Sequence, residues 1–256
     1  MTVRELYNKI SEFCPKRMSC SWDNDGIMLS GNLDAEVKSI LTALDATEET
    51  LCYAAENGYD VLLTHHPMLF RGVKSVSPDT PHGRRVIKAL DSGLSVLSFH
   101  TRLDACDGGV NDELCRVLGL HVSGKFGDDE CEELGRFCEC DMTARELSRL
   151  VLDKLGCDAV RLNGDKEKRI TRVGVCGGDG KEMIYPALMS GCDALITGDA
   201  GYNIAGDAAE DGIVVIEAGH YHTEAPVCRV LASLAESITG IKCGFYNSCT
   251  YTVITK

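Results

Sequence analysis

The segment Val61-Leu62-Leu63-Thr64-His65-His66, followed at once by Pro67, carries the strongest structural signal in the chain. A continuous apolar run that ends at a breaker is typical of a central strand in a parallel sheet. Proline has no N–H for a ladder and disfavours helical geometry in the residue before it, so we predict that the strand stops at His66. Both imidazoles should therefore lie at the carboxyl edge of a sheet, where open α/β folds bind ligands.

The two adjacent histidines admit more than one interpretation. Neighbouring side chains on an extended strand point to opposite faces. His65 and His66 can therefore share one metal ion only if the chain bends there, or else they serve two centres that lie close together. The simpler alternative is a pair of strand-end histidines that cap a helix or hydrogen-bond a loop. Residues elsewhere in the sequence favour metal binding.

Composition limits the classes of function. The chain has 256 residues, of which 44% are hydrophobic and 25% charged, as in a globular protein of one large or two modest domains. A net charge of −13 argues against nucleic acid as a partner, because phosphate binding needs clustered Lys and Arg. We see neither a signal core nor an apolar run of roughly 18 residues, so we expect a cytoplasmic protein without a membrane partner. The 14 cysteines include no Cys-x-x-Cys pair, and Cys138 and Cys140 are expected to pack rather than bind zinc.

The second half of the sequence repeats the first. Residues 37–66 align without a gap onto residues 170–199, and Gly58-Tyr59-Asp60 faces Gly191-Cys192-Asp193. The alternative is chance similarity between two βαβ units. The repeat predicts an α/β fold of two related domains that arise from an internal duplication. We place them at residues 1–122 and 123–256, with a boundary in the polar stretch 121–135, and the last helix and strands could pack back on the first domain.

Polar residues cluster at the ends of corresponding predicted strands. His100 and Asp104 follow a second strand, and His220 and Glu224 follow a strand of the second half. His220 and Glu224 are four residues apart at the start of a predicted helix, so they share one face. Together with His65 and His66 these residue types suit zinc, iron, manganese or nickel, whereas calcium prefers more oxygens. Three imidazoles and two carboxylates from this set make five protein ligands, which exceeds what one catalytic ion takes, so two ions that share a carboxylate and a water fit better.

Several other polar features receive simpler interpretations. Asp199 corresponds to His66 in the repeat; a turn or N-cap role is favoured over that of an outer acceptor. Trp22, the only tryptophan, is interpreted as an anchor for a loop. The glycine-rich segment Gly174–Gly180 is neither a dinucleotide fingerprint nor a P-loop, and no Gly-x-Ser-x-Gly elbow occurs. Three histidines are expected to lie outside the site: His82, His121 and His222.

Taken together, the motifs resemble one known family, the NIF-three-like dinuclear metal-centre family, whose members carry the name GTP cyclohydrolase I type 2 homologue. The resemblance covers essentially the whole chain. It rests on five motifs in order: Trp22-Asp23-Asn24-Asp25-Gly26, Thr64-His65-His66-Pro67, His100-Thr101-Arg102-Leu103-Asp104 with Gly108-Gly109-Val110-Asn111, Thr197-Gly198-Asp199, and Gly219-His220-Tyr221-His222-Thr223-Glu224.

The resemblance implies two related α/β domains, a ring-shaped homohexamer and two divalent ions in a cleft between the domains. By position, it implies these metal ligands: His65, His66, Asp104, His220 and Glu224. His100 would lie beside them, outside the ligand shell or as a proton-transfer group. The chain departs from the family in Arg102, where a small polar residue is usual, in His222, and in lacking the inserted middle domain of longer members.

Two functions follow as hypotheses. The first is a metal-dependent hydrolase that attacks an electrophilic carbon or phosphorus; the family name implies GTP, with opening of the purine ring and release of formate. The chain has no obvious triphosphate cradle, and Arg71, Lys74 and Arg102 are the nearest basic candidates. The second is a non-catalytic metal-binding or regulatory oligomeric protein, in which the ions fix an interface or pass to another protein.

Overall fold

Helices and strands alternate along the chain in the computed structural model, which describes residues 1–254. The helices are α1 (Val3–Phe13), α2 (Glu48–Glu56), α3 (Pro81–Asp91), α4 (Thr101–Ala105), α5 (Val110–Leu118), α6 (Ala144–Leu155), α7 (Ile184–Met189), α8 (Tyr202–Glu210), α9 (His220–Glu224) and α10 (Val227–Thr239). The strands are β1 (Gly26–Leu29), β2 (Ile40–Ala43), β3 (Val61–Thr64), β4 (Ser95–Ser98), β5 (Val122–Phe126), β6 (Gly135–Thr143), β7 (Arg161–Asn163), β8 (Arg169–Asp179), β9 (Ala194–Asp199), β10 (Val214–Glu217) and β11 (Gly244–Phe245). The longest described helix, α10, has 13 residues, too few to cross a bilayer.

The described chain forms two compact units, and their limits differ from the expected split at residue 122. The first unit comprises Met1–Leu103 and Val227–Thr250, and the second begins with Asp104–Pro226. Helix α5 belongs to the second unit because it packs on β8 and α6. Helix α10 belongs to the first unit because it packs against α1 and β2. The polar stretch 121–135, the expected boundary, lies within the second unit and contains β5.

The first unit contains a five-stranded sheet in the order β1-β4-β3-β2-β11. Strands β4, β3, β2 and β11 run parallel, and β1 pairs antiparallel with β4. Every residue of β2, β3 and β4 is buried, as the apolar run at Val61 predicts. Helix α2 begins after Thr47, whose hydroxyl accepts a hydrogen bond from the Thr50 N–H. Among the described residues only β11 represents the two strands predicted at the end of the chain.

The second unit contains a six-stranded sheet in the order β5-β6-β8-β9-β10-β7. Strands β8, β9 and β10 are parallel, and antiparallel strands flank them on both sides. Helices α5 and α6 pack against residues such as Val173 and Ile196 on one face of the sheet. Helices α7 and α8 pack against Leu195 and Val215 on the other face. Alternate residues of β9 and β10 thus face opposite layers, as a doubly covered parallel sheet requires.

The parallel cores of the two units share one register. In the first unit Ile40 of β2 pairs with Val61 of β3, and in the second Val173 of β8 pairs with Ala194 of β9. Both pairs fall on aligned positions of the sequence repeat. The next strands agree as well, since β3 pairs with β4 and β9 with β10 in the same parallel sense. The register is what an internal duplication predicts, and the duplication itself stays our inference from this pattern.

An aspartate clamps the start of the first parallel pair of strands in each unit. Asp60 Oδ2 accepts hydrogen bonds from the Ser39 N–H at 2.9 Å and the Ser39 hydroxyl at 3.0 Å. Asp193 Oδ2 accepts from the Arg172 N–H at 3.1 Å, and from the Thr171 N–H and hydroxyl at 2.8 Å each. The two carboxylates occupy aligned positions and satisfy donors at the amino end of the neighbouring strand. Each one therefore fixes where its strand pair begins.

Candidate metal centre

Three histidines of the first unit lie together at the carboxyl ends of neighbouring strands. The chain bends at His65 and His66 directly after β3, and His100 follows β4. The His65 ring centroid is 5.1 Å from that of His66 and 5.1 Å from that of His100. Each of the three offers a ring nitrogen, and these nitrogens lie within 4.8 Å of one another. Because the chain bends, the adjacent side chains of His65 and His66 lie on the same side, which is what sharing one site requires.

Each of these rings is oriented through its Nδ1 atom. The partner in each case is an oxygen that can only accept a hydrogen bond: the Phe99 carbonyl for His65 at 2.9 Å, Asp45 for His66 at 2.7 Å and Asp23 for His100 at 2.9 Å. In a neutral imidazole one nitrogen carries the proton and the other the lone pair. These partners therefore place the proton on Nδ1 and the lone pair on Nε2. Fixing a histidine in this way is typical of metal sites.

The second unit presents one imidazole and two carboxylates. His220 and Glu224 lie one turn apart on α9, with 3.0 Å between Nε2 and Oε2. Asp104 offers a carboxylate oxygen within 4.8 Å of one from Glu224. His220 Nδ1 is 3.0 Å from the carboxylate of Asp199 at the end of β9. Asp199 is not the N-cap of α8, which is Gly201, and its carboxylate contacts His220, as the less favoured role of an acceptor predicts.

The glycine-rich segment makes room for α9. Gly178 has a φ of +68°, and a Cβ there would collide with Glu224 Oε1. A Cβ on Gly198 would meet the His220 Cα at 2.7 Å. The Gly178 N–H donates to the Thr223 hydroxyl at 3.1 Å, within the same helix. The glycines therefore allow the helix with the candidate ligands to approach two strand ends closely, which explains a segment that the sequence alone left without a role.

Asn111 connects the chain around Asp104 to strand β8. It is 1% exposed, and its Oδ1 accepts a hydrogen bond from the Gly177 N–H at 2.8 Å. Its Nδ2 donates to the carbonyls of Asp104 at 3.3 Å and Leu134 at 2.8 Å. All of these bonds lie within the second unit. The asparagine of the Gly108–Asn111 motif thus holds the backbone of a candidate ligand.

Arg102 is turned away from solvent. It is fully buried, with its Nε 2.7 Å from Asp25 Oδ2 and its guanidinium carbon 4.5 Å from the centre of the Phe99 ring. A guanidinium in this position cannot hold a triphosphate, so the suggestion of Arg102 as a basic substrate contact is wrong. Arg71 and Lys74 are both exposed. His82 and His121 are exposed as well, as expected.

Sequence reasoning missed Asp23 and Asp45. The Asp23 side chain is fully buried and accepts hydrogen bonds from His100 and from the N–H and hydroxyl of Thr101. Burial raises the pKa of the Asp23 carboxyl, but the hydrogen bond and charge of His100 and the two bonds from Thr101 outweigh it, so the pKa falls to about 2. Asp45 follows β2 at the carboxyl edge of the sheet, and this position was a signal that could have identified it.

The fold and these residues define an α/β protein with candidate metal-ligand clusters of histidines and carboxylates at strand ends. The sequence model of one family, Duf34/NIF3 (NGG1p interacting factor 3), matches residues 1–250. The chain belongs to this family, as the motifs predicted. Imidazole and carboxylate donors are those that zinc, manganese, iron and nickel accept, so the residues present fit a divalent ion.

Similar proteins agree with this placement. A relative from Clostridium acetobutylicum, named GTP cyclohydrolase 1 type 2 homolog, is 34% identical over 242 residues, which cover 92% of this chain and 90% of the relative. A relative of the same name from Clostridium perfringens is 33% identical and covers 89% of this chain and 88% of its own. The crystal structure of Staphylococcus aureus protein SA1388 superposes with a TM-score of 0.88 at 26% identity, over 99% of both chains.

Proposed function

We propose that this protein is a metal-dependent hydrolase with a dinuclear centre. The proposed ligands of the two divalent cations are those that the family resemblance implies: His65, His66, Asp104, His220 and Glu224. The observation that carries the proposal is the orientation of the three histidines of the first unit through Nδ1, because three separate acceptors produce the same lone pair on Nε2. Histidines that merely cap helices or contact loops have no reason to share one tautomer.

The residues of the chain divide the work between binding and proton transfer. When bound, two divalent cations supply Lewis acidity and lower the pKa of a water molecule. Asp45 and Asp199 hold the imidazoles of His66 and His220 in place. Asp23, whose pKa is about 2, stays ionised at neutral pH and accepts from Nδ1 of His100. Nε2 is therefore the atom at which His100 takes up or gives back a proton.

We take GTP as the first substrate to test, because curated relatives bear the name GTP cyclohydrolase 1 type 2 homolog. The reaction would open the purine ring and release formate. A panel of phosphoesters tests the broader class, since the same Lewis acidity serves attack at phosphorus.

The test begins with the full chain purified without added metal, followed by elemental analysis and the substrate panel on one sample. We expect close to two divalent ions per chain and turnover that a chelator abolishes and added metal restores. Asp104→Ala and Glu224→Ala should lose both turnover and metal. The matched control is Asp141→Ala, since Asp141 is an exposed carboxylate paired with Arg169 on the surface and should behave as wild type.

Metal bound by these residues without turnover on any substrate would contradict the hydrolase and support the non-catalytic alternative. We also propose a homohexamer, as the resemblance implies. Light scattering on the eluted protein should then give a mass near six times the 27.7 kDa of one chain.

A further inference from the structure

Two exposed aromatic side chains lie beside the histidines of the first unit. Trp22 is 52% exposed and Phe70 is 43% exposed. Their ring centroids are 6.0 Å apart in an edge-to-face arrangement. Both also contact His100 edge-to-face, Trp22 at 6.3 Å and Phe70 at 6.0 Å. Tryptophan is among the more buried residue types, so an indole that is half exposed next to a candidate metal centre needs a reason.

The loop that carries Trp22 is held firmly on both sides of it. Asp23 binds His100 and Thr101 through both carboxylate oxygens. Asn24 donates to the carbonyl of Leu69, next to Phe70, and so ties the two aromatic segments together. The polar residues that follow Trp22 are thus turned inward and the indole outward. The indole is therefore exposed because the backbone on either side of it is held in place. An anchor for a loop, as predicted from the turn, would instead bury its ring.

We propose that Trp22 and Phe70 form an aromatic platform that binds the planar heteroaromatic ring of the substrate beside the metal centre. This inference rests on the proposed function, because it assigns a binding role within the same site. Flat heteroaromatic rings stack on aromatic side chains whatever their hydrogen-bonding pattern, which makes such a pair a general ring-binding surface.

Two observations favour a small-molecule ring as the occupant. The first is continuity with the histidine cluster: Trp22 lies 6.3 Å from His100, and His100 lies 5.1 Å from His65. The platform is therefore joined to the candidate ligand His65 through the ring of His100. The second is charge, since the chain has a net charge of −13 yet the loop after Phe70 exposes Arg71 and Lys74. The platform suits a heteroaromatic ring with an anionic substituent, as in a nucleotide.

Trp22 reports on its own occupancy because it is the only tryptophan of the chain. The full chain loaded with Zn²⁺ is titrated with GTP, guanosine, adenosine and uridine, and with inorganic triphosphate as a probe without a ring. We expect the ring-bearing probes to quench tryptophan fluorescence and triphosphate to leave it unchanged. If no ring-bearing probe quenches, or if triphosphate quenches as strongly as GTP, the inference is wrong.

Variants then separate stacking from other contacts. By calorimetry, Trp22→Ala should weaken GTP binding by about 5- to 150-fold, the range observed for loss of a stacked base. Phe70→Ala should weaken it in the same direction, and Trp22→Phe should restore most of the affinity because it keeps an aromatic face. The matched control is Phe245→Ala, since Phe245 is 54% exposed on the edge strand β11 and should bind GTP as wild type does.

The same measurements distinguish this inference from the proposed function. Zinc content of Trp22→Ala must equal that of wild type, since the platform holds no metal. Metal-dependent turnover of phosphoesters without quenching by any ring-bearing probe would overturn the platform and leave the hydrolase intact. Quenching by GTP with loss of affinity in Trp22→Ala, but without turnover, would support the platform and contradict the hydrolase. Affinities of Trp22→Ala and Phe70→Ala within twofold of wild type would overturn the platform outright.

Discussion

Replacing Asp45 tests whether the carboxylates behind the histidines prepare a metal site. Asp45 Oδ1 is 2.7 Å from Nδ1 of His66, and the backbone N–H of Asp45 is itself held by the Ser248 hydroxyl at 3.0 Å. The pair is partly shielded, with 29% of the Asp45 side chain and 20% of the His66 side chain exposed. The carboxylate should therefore orient the ring and make its Nε2 a better donor.

The expected loss follows from the geometry of the replacement. Asp45→Ala removes the acceptor, and loss of such a partner typically reduces metal affinity about 10- to 100-fold, or about 1.4–2.7 kcal/mol. Asp45→Asn keeps a carbonyl oxygen that can still accept from Nδ1 but lacks the charge. We therefore expect the order of affinity to be wild type, then Asp45→Asn, then Asp45→Ala, with the asparagine variant near the tenfold end.

The assay is competition for Zn²⁺ between the protein and a chelating dye of known affinity, with thermal unfolding measured in parallel. Asp60→Asn is the control, because Asp60 is a hydrogen-bonded carboxylate in the same unit whose partner is Ser39 rather than a histidine. It should alter the melting temperature and not the affinity. Zinc affinity of Asp45→Ala within twofold of wild type, with unchanged unfolding, would refute the reasoning about orientation.

Three further predictions concern buried charge, pH and space. Arg102→Met removes one of the two cations that pair with buried Asp25, the other being Lys16, and should lower the free energy of unfolding in urea by roughly 1.5–3 kcal/mol; a loss below about 0.5 kcal/mol would contradict it. Burial raises the pKa of Asp193, but donors from the neighbouring strand outweigh it and lower the pKa below 3.8. The free energy of unfolding of wild type should therefore exceed that of Asp193→Asn by about 1–3 kcal/mol at pH 7, and the difference should shrink as pH falls from 3.8 through the folded pKa; a difference that does not shrink below pH 3.8 would contradict this. Gly178→Ala places a methyl group against Glu224 Oε1, so elemental analysis should show less metal per chain while circular dichroism stays unchanged; full metal content would count against the close approach.

The parallel strands at the centre of each sheet could be predicted, because their apolar sequences match their burial. The run ending in Thr64 is apolar throughout and fully buried in β3. Local signals also mark helix starts, since Thr47 and Thr143 are threonine N-caps of α2 and α6. Strands β1 and β5 were missed because both are edge strands with weak signals: the apolar run of β1 has only three residues after Gly26, and β5 contains Gly124 and Lys125.

The candidate ligands could be predicted because strand ends and helical spacing determine where such residues lie. Their supporting residues could not, because those contacts join distant parts of the chain. Asp23 meets His100 across 77 positions, and the same separation joins Asp25 to Arg102. Composition and spacing contain no information about such pairs. The burial of Arg102 has the same origin, since its aromatic neighbour Tyr7 comes from α1.

The matching aspartate clamps separate scaffold from chemistry in this molecule. Asp60 and Asp193 hold the amino ends of the strands in the two units, through backbone N–H groups and one neighbouring hydroxyl each. At the carboxyl end of those strands, the first unit has His65 and His66 where the second unit has Gly198 and Asp199. The residues at the carboxyl ends of the strands can therefore be replaced while the hydrogen bonds at the amino ends keep the strands in place. Such a fold can therefore gain a different chemistry through substitutions at only a few strand-end positions.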